Sequence, residues 1–273
     1  MLDIEILPTL REPVLVLTLT GWVDAGEAGK LAAETLAAQL EGGRVFARYA
    51  LDDIVDLQQT RPTVELVDGT TRRIDWPEIT FTAGKAGRDV VVASGPEPSL
   101  RWPSFARDVV DLATRLDIAR AFTLGGMPAV VSHRQPVSVL ATATAHSLAQ
   151  EVGAMRTDYA GPTGAQTVLQ FELGRSGIPT VGLWAQVPHY VSGNPSPPAV
   201  RALLERLRDL AGLRVDVAEL DVQVDVYREK VDEGLEERPD VAEHVRAIEA
   251  QSDDEVSGDA IVAEIERFLR DQQ

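Results

Sequence analysis

The chain contains no cysteine. That excludes a disulfide scaffold, a thiolate zinc site, an iron–sulfur cluster and a cysteine nucleophile, and it makes the cytoplasm the default setting. Lysine is scarce as well, since Lys30, Lys85 and Lys230 stand against 23 arginines. Two Gly–Lys pairs, Gly29–Lys30 and Gly84–Lys85, have neither the earlier glycine nor the following Ser or Thr that a phosphate loop requires. No GxSxG segment marks a serine nucleophile, so Ser132 or Ser138 beside a histidine has no motif behind it. Long apolar runs are missing too. The longest uncharged stretch, Ser176 to Val200, is broken by Pro179, Pro188, Pro195, Pro197 and Pro198 and cannot be a spanning helix. The N-terminal MLDIEILPTL carries acids where a signal peptide needs bases, so export is not expected. Net positive charge is absent. A balance of −17 and a pI near 4.6 repel phosphate backbones and anionic lipid, so neither nucleic acid nor a membrane is expected as partner.

What is present is an ordinary globular composition of 273 residues with an uneven spread of charge. Residues 214–273 hold 19 acids against 7 bases, whereas the preceding 213 residues hold 24 against 19. The body reads as strands alternating with helices. Val14 to Thr20 is a nearly continuous apolar run of the kind buried on both faces. Asp24 with Glu27 looks like a capping box for a helix carrying Ala28, Leu31, Leu36 and Leu40, which Gly42–Gly43 stops before a strand from Arg44 to Ala50. Asp68–Gly69 predicts a tight hairpin between Val64–Leu66 and Thr71 to Trp76, and Ile79 to Thr82 with Asp89 to Ala93 makes a second antiparallel pair. The sheet is therefore expected to be mixed. Pro103 reads as a first helical residue ahead of the stripe Phe105, Val109, Leu112 and Leu116, and Ala121 to Leu124 makes another strand.

The tail has a different rhythm. Val217, Leu220, Val224, Tyr227 and Val231, then Val241, Val245 and Ile248, then Ile261, Ile265 and Phe268 mark three amphipathic helices. Ser252 to Gly258 reads as a solvated acidic linker between the last two. Between Gly125 and Gln150 the only formally charged residue is Arg134, and between Tyr159 and Val200 only Glu172 and Arg175 are charged. Such segments suit a pocket, an interface or a plain core equally.

Candidate chemistry gathers at strand ends. Asp24 follows a buried strand and opens a helix, where carboxylates of α/β folds bind ligands and where they also simply cap. His133 in VVSH and His189 in WAQVPHY each follow a strand-like run and can share the sheet edge with Asp24. Two imidazoles and a carboxylate can hold a divalent ion or act as acid–base groups, although loop histidines more often bond a neighbouring carbonyl. Asp24, His133 and His189 are thus the catalytic candidates of an alternative reading, a metal-dependent or phosphorylase/hydrolase-type enzyme. No metal and no cofactor is assigned. Gly161-Pro162-Thr163-Gly164 opens a helix through Val168, Leu169 and Leu173, making Gly161, Thr163 and Gly164 candidates for an anion site as well as for a helix start. Trp22, Trp102, Trp184 and Tyr190 flank the same loops, as aromatics do around pockets and interfaces.

Five segments carry a family resemblance: GWVDAGEAG (21–29), SGPEPSLRW (94–102), LGGMPAVVSHRQP (124–136), YAGPTG (159–164) and LWAQVPHYV (183–191). In that order they resemble the signature blocks of the proteasome assembly chaperone 2 (PAC2) family in its bacterial, actinobacterial-type branch, as does the helical tail. The resemblance implies an α/β three-layer sandwich with a mixed central sheet, phosphorylase/hydrolase-like, over residues 1–213, and an acidic helical extension over residues 214–273. It also implies a non-enzymatic, homo-oligomeric protein with protein partners, proteasome subunits among them. The chain departs from the pattern at Ser132, where the family has proline before the histidine. It also ends Leu269-Arg270-Asp271-Gln272-Gln273 rather than in the hydrophobic–Tyr–any-residue tail of some relatives, so docking by that route is not expected. Some family members carry an ATP-grasp ligase label, for which no phosphate-gripping sequence stands here.

Overall fold

The computed structural model describes residues 2–156 and 159–251. In chain order the elements are β1 (Leu2–Ile4), β2 (Val14–Thr20), α1 (Ala28–Ala38), β3 (Glu41–Ala50), β4 (Thr63–Val67), β5 (Thr70–Asp75), β6 (Glu78–Lys85) and β7 (Asp89–Pro96). There follow α2 (Trp102–Arg115), β8 (Arg120–Ala129), β9 (Val139–Ala143), α3 (His146–Glu151), α4 (Ala165–Arg175), β10 (Thr180–Pro188), α5 (Pro197–Ala211), α6 (Ala218–Glu236) and α7 (Pro239–Gln251).

Alternation along β2 sets the layers. Val14 and Val16 enter one core, Leu15, Leu17 and Leu19 the other, because successive side chains of a strand face opposite ways. The first core lies under α1 and α5, where Ala32, Leu36, Leu203 and Leu207 meet Phe122, Leu124 and Leu183. The second lies under α2 and α4, where Phe105, Val109, Leu169 and Leu173 meet Phe81, Val91 and Ala93. The eight strands run in the order β1-β3-β6-β7-β2-β8-β10-β9. The central four, β7, β2, β8 and β10, are parallel, and antiparallel strands flank them on both sides. The protein is an α/β sandwich with a mixed sheet between two helical layers.

The Asp68–Gly69 hairpin forms as expected, both residues at positive φ (50° and 72°), the geometry of a type I′ turn. It stands apart as a two-stranded sheet with every residue exposed, rather than extending the main sheet. Two boundaries differ from the sequence reading. Gly42 and Gly43 lie inside β3, which begins at Glu41 with a bulge before Arg44, and α1 has already ended at Ala38. Pro103 is the second residue of α2, behind Trp102.

Two of the three tail helices are described. Helix α6 buries Leu220, Val224, Tyr227 and Leu235 and packs on α5, while α7 buries Val245 and Ile248 and packs on α6. The acidic linker and the third stripe, Ile261, Ile265 and Phe268, lie outside the described residues. Among those residues no helix is long and apolar enough to cross a membrane.

Candidate functional site

Strands β2 and β8 pair only as far as Leu17 and Thr123, then separate at their carboxyl ends. The buried Gln166 of α4 spans the gap: its carbonyl accepts the Leu19 N–H (2.8 Å) and its amide donates to the Leu124 carbonyl (3.1 Å). A crevice at the carboxyl ends of parallel strands is where open α/β sheets bind their ligands. Beside it lies a cleft of about 560 Å³ on the α4 face of the sheet. Its wall is mainly apolar: Trp22 and Val23 after β2, Met127 and Pro128 of β8, Trp184 of β10, Phe171 of α4 and Met155. Thr142, Gln170 and Arg175 are among its polar groups. Phe171 is 59% exposed, an unusual position for a large aromatic. Four of the five signature segments meet at this cleft, through Trp22, Met127–Pro128, Tyr159–Gly164 and Trp184.

The fifth segment supplies Glu97, which sits behind the Tyr159–Gly164 turn. Its Oε1 accepts the Ala165 N–H at 2.6 Å, so the N-terminus of α4, considered above as an anion site, receives a carboxylate of the chain itself. A side chain at Gly164 would place its Cβ 2.6 Å from that oxygen, which explains the glycine. Thr163 and Gly164 line the cleft, and Gly161 packs against the Tyr159 hydroxyl. Burial pushes the Glu97 carboxyl above its ordinary pKa, while the N–H bonds from Ala165 and Trp22 pull it back.

Asp24 has a different task from the one its spacing implied. A 3-10 turn, Ala25–Glu27, with Gly26 at φ 67° and Glu27 at φ 47°, separates it from α1, so no capping box forms. Its carboxylate instead reaches over the turn to the second and third residues of the helix, accepting Gly29 N–H at 2.7 Å and Lys30 N–H at 3.4 Å. Glu27 turns away to Lys30 Nζ at 2.6 Å. Burial raises the Asp24 pKa to about 6.

His133 and His189 come together around Tyr190, whose ring meets both edge-on, at 5.9 and 5.5 Å. The His133 side chain is fully buried. Its Nδ1 lies 2.7 Å from the Tyr190 hydroxyl and its Nε2 3.0 Å from Asp232 Oδ1 on α6. The tautomer that satisfies both has Nε2–H donating to Asp232 and Nδ1 accepting from Tyr190. Arg134 bonds the same Asp232 at 2.5 Å and Glu249 of α7 at 3.1 Å, and Ser132 Oγ donates to Glu249 at 2.6 Å. The loop 132–134 is thus clamped by both tail helices. Burial lowers the His133 pKa and raises that of Tyr190. His189 donates Nδ1–H to the Ala129 carbonyl (3.2 Å) and faces His244 of α7. No contact among the described residues joins Asp24 to either histidine, and none groups three or more His, Asp or Glu around a metal position.

Asp232, Glu249, His244 and Glu97 were not singled out from the sequence, and Gln166 was hidden in an amphipathic helix. The signal for the first two was Arg134, a lone charge in a long uncharged stretch, which called for acids from elsewhere.

Fold and site define a class: an α/β sandwich protein with a mixed sheet, an apolar cleft at its strand ends and a helical extension folded over the neighbouring loop. The PAC2 family matches residues 18–235, and the chain belongs to that family. A PAC2 family protein from Streptomyces avermitilis is 37% identical, with 85% of this chain and 99% of that one covered and a TM-score of 0.78. A Mycobacterium tuberculosis proteasome-assembly chaperone homologue is 34% identical, with 85% and 99% covered and a TM-score of 0.78. A second M. tuberculosis protein, of unknown function, is 30% identical, with 93% and 91% covered and a TM-score of 0.85. No curated protein matches the chain.

Proposed function

We propose that this protein is a non-enzymatic, assembly-chaperone-like protein of the cytoplasm that self-associates and binds an apolar segment of a partner protein, such as a proteasome precursor, in the strand-end cleft. Residues 1–213 form the interaction body in this reading and residues 214–273 an accessory extension. One observation carries it. Four family segments that are far apart in sequence converge on a single apolar cleft, and an exposed Phe171 stands at its wall. Aromatic residues, phenylalanine among them, are enriched at the buried cores of protein interfaces. The relative from M. tuberculosis described as a proteasome-assembly chaperone homologue supports the partner class. The alternative enzyme reading gains nothing from the geometry, because Asp24 is spent on α1 and His133 on the tail helices.

The test is affinity purification of the tagged full-length protein from its native cells, beside an untagged control and a Phe171→Glu variant. Phe171 is mostly exposed, so the variant folds. Unprocessed proteasome subunits retained by the wild type and lost by the variant are the expected result. Recovery of the protein alone, or equal recovery by the variant, overturns the partner or the cleft, respectively.

A further inference from the structure

Outside the cleft, one pair of side chains brings two imidazole nitrogens within hydrogen-bonding distance of each other. Nε2 of His189, on the turn after β10, lies 3.2 Å from Nε2 of His244 on α7, with the rings 5.2 Å apart and 80° to one another. Both residues are exposed. Two imidazole nitrogens bound to one tetrahedral ion at about 2.0–2.1 Å stand about 3.3–3.4 Å apart, so the observed spacing already suits a shared cation. His189 is also oriented as a ligand. Its Nδ1–H is committed to the Ala129 carbonyl, which leaves the Nε2 lone pair directed at His244. That second bond to a backbone carbonyl is the usual support of a metal-ligating histidine, fixing both tautomer and ring angle. Tyr190, packed edge-on against the His189 ring, restrains it further. The net charge of −17 favours cation approach over the whole surface.

We propose that His189 and His244 form a two-imidazole site for a divalent transition ion of the class that imidazole prefers, Zn²⁺, Ni²⁺ or Cu²⁺. Among the described residues no third His, Asp or Glu completes a cluster, so water fills the remaining positions. The ion pins α7 to the body beside the loop that Arg134 and His133 already clamp. Without it, a single N–H···N bond from His244 to His189 holds the same contact.

The experiment is Zn²⁺ titration by calorimetry on untagged full-length protein, with thermal unfolding measured in Zn²⁺ and in chelator. Wild type, His189→Ala, His244→Ala and His146→Ala are compared, the last being an exposed histidine on α3 that stands outside the pair. The expected result is one saturable ion per chain, with affinity at least tenfold lower in either pair variant and unchanged in His146→Ala. A Zn²⁺-dependent rise in Tm accompanies binding in wild type and vanishes in the pair variants, since an ion that binds only the folded chain stabilises it. Equal affinity in the pair variants, or no saturable binding by wild type up to millimolar Zn²⁺, overturns the site. Chelator melts of the apo variants show separately whether they fold.

Discussion

The imidazole of His133 bonds Asp232 at 3.0 Å although 99 positions separate them, and this bond fastens the last turns of α6 to the loop between β8 and β9. The histidine side chain is wholly buried and the aspartate about half exposed, so the bond ties an interior group to a surface one. Replacing Asp232 by alanine leaves the buried Nε2–H without its acceptor and frees one side of Arg134. The expected loss is about 1–2 kcal/mol of unfolding free energy, the range for a hydrogen bond to a charged group reduced by solvent. Arg134→Ala removes only half-exposed ion pairs and costs about 0.5–1 kcal/mol. Denaturant melts give the magnitudes. Hydrogen exchange locates them: amides of α7 and the end of α6 exchange faster, and those of β2 and β8 do not.

Asp24 and His133 give stability opposite dependences on pH. The folded pKa of Asp24 is raised from 3.8 to about 6, so between those values the folded state holds more protons than the unfolded one, and stability falls as pH rises. His133 is held below 6.5 by burial, so its contribution is complete above that value and is lost as acid protonates it. Asp24→Asn keeps an acceptor for Gly29 N–H and removes only the first dependence. The difference in Tm between variant and wild type, measured from pH 7 down to pH 4, should move in favour of the wild type as acid is added. A constant difference across that range shows that Asp24 ionises as it does in the unfolded chain.

Much of this was legible in the residues. The continuous apolar run of Val14 to Thr20 announces a strand buried on both faces, and the Asp68–Gly69 pair announces its hairpin, because both follow from local sterics and period. Trp22 and the Gly161–Gly164 turn were read from the sequence as loop residues near strand and helix ends, and Trp22, Thr163 and Gly164 line the cleft, whereas Asp24 is turned to α1. The long-range partners were not legible. Glu97 before α4, Asp232 against His133 and His244 against His189 depend on the order of strands and the path of the tail, which no local pattern encodes. Asp24 illustrates the limit: its spacing to Glu27 fits a capping box, yet Gly26 and Glu27, both at positive φ, move the helix start by a turn.

Gly29 tests how closely α1 is pressed against the sheet. It lies in the helix, where alanine is intrinsically better by about 0.8–1.0 kcal/mol. A Cβ at this position would stand 2.6 Å from both the Leu124 carbonyl oxygen and Thr18 Oγ1, and those two atoms are already bonded to each other at 3.1 Å. Gly29→Ala is therefore expected to lower stability by about 1–3 kcal/mol, the cost of overpacking. A neutral or stabilising result in a denaturant melt shows that α1 can slide outward freely.

Glu97 separates geometry from charge behind the turn that lines the cleft. Its carboxylate receives the Ala165 N–H at the start of α4 and a bond from Trp22, and burial makes its ionised form costly. A glutamine in its place keeps a carbonyl acceptor of nearly the same reach and needs no buried charge. Glu97→Gln is therefore expected to stay within about 0.5 kcal/mol of wild type at pH 7, whereas Glu97→Ala strands the N–H groups and costs about 1–3 kcal/mol. Because Gly164 and Trp22 both line the cleft and both border Glu97, the alanine variant should also weaken partner capture, and the glutamine variant should not. Equal losses in the two variants assign the helix start to the negative charge itself, acting on the dipole of α4, and detach the shape of the cleft from this hydrogen bond.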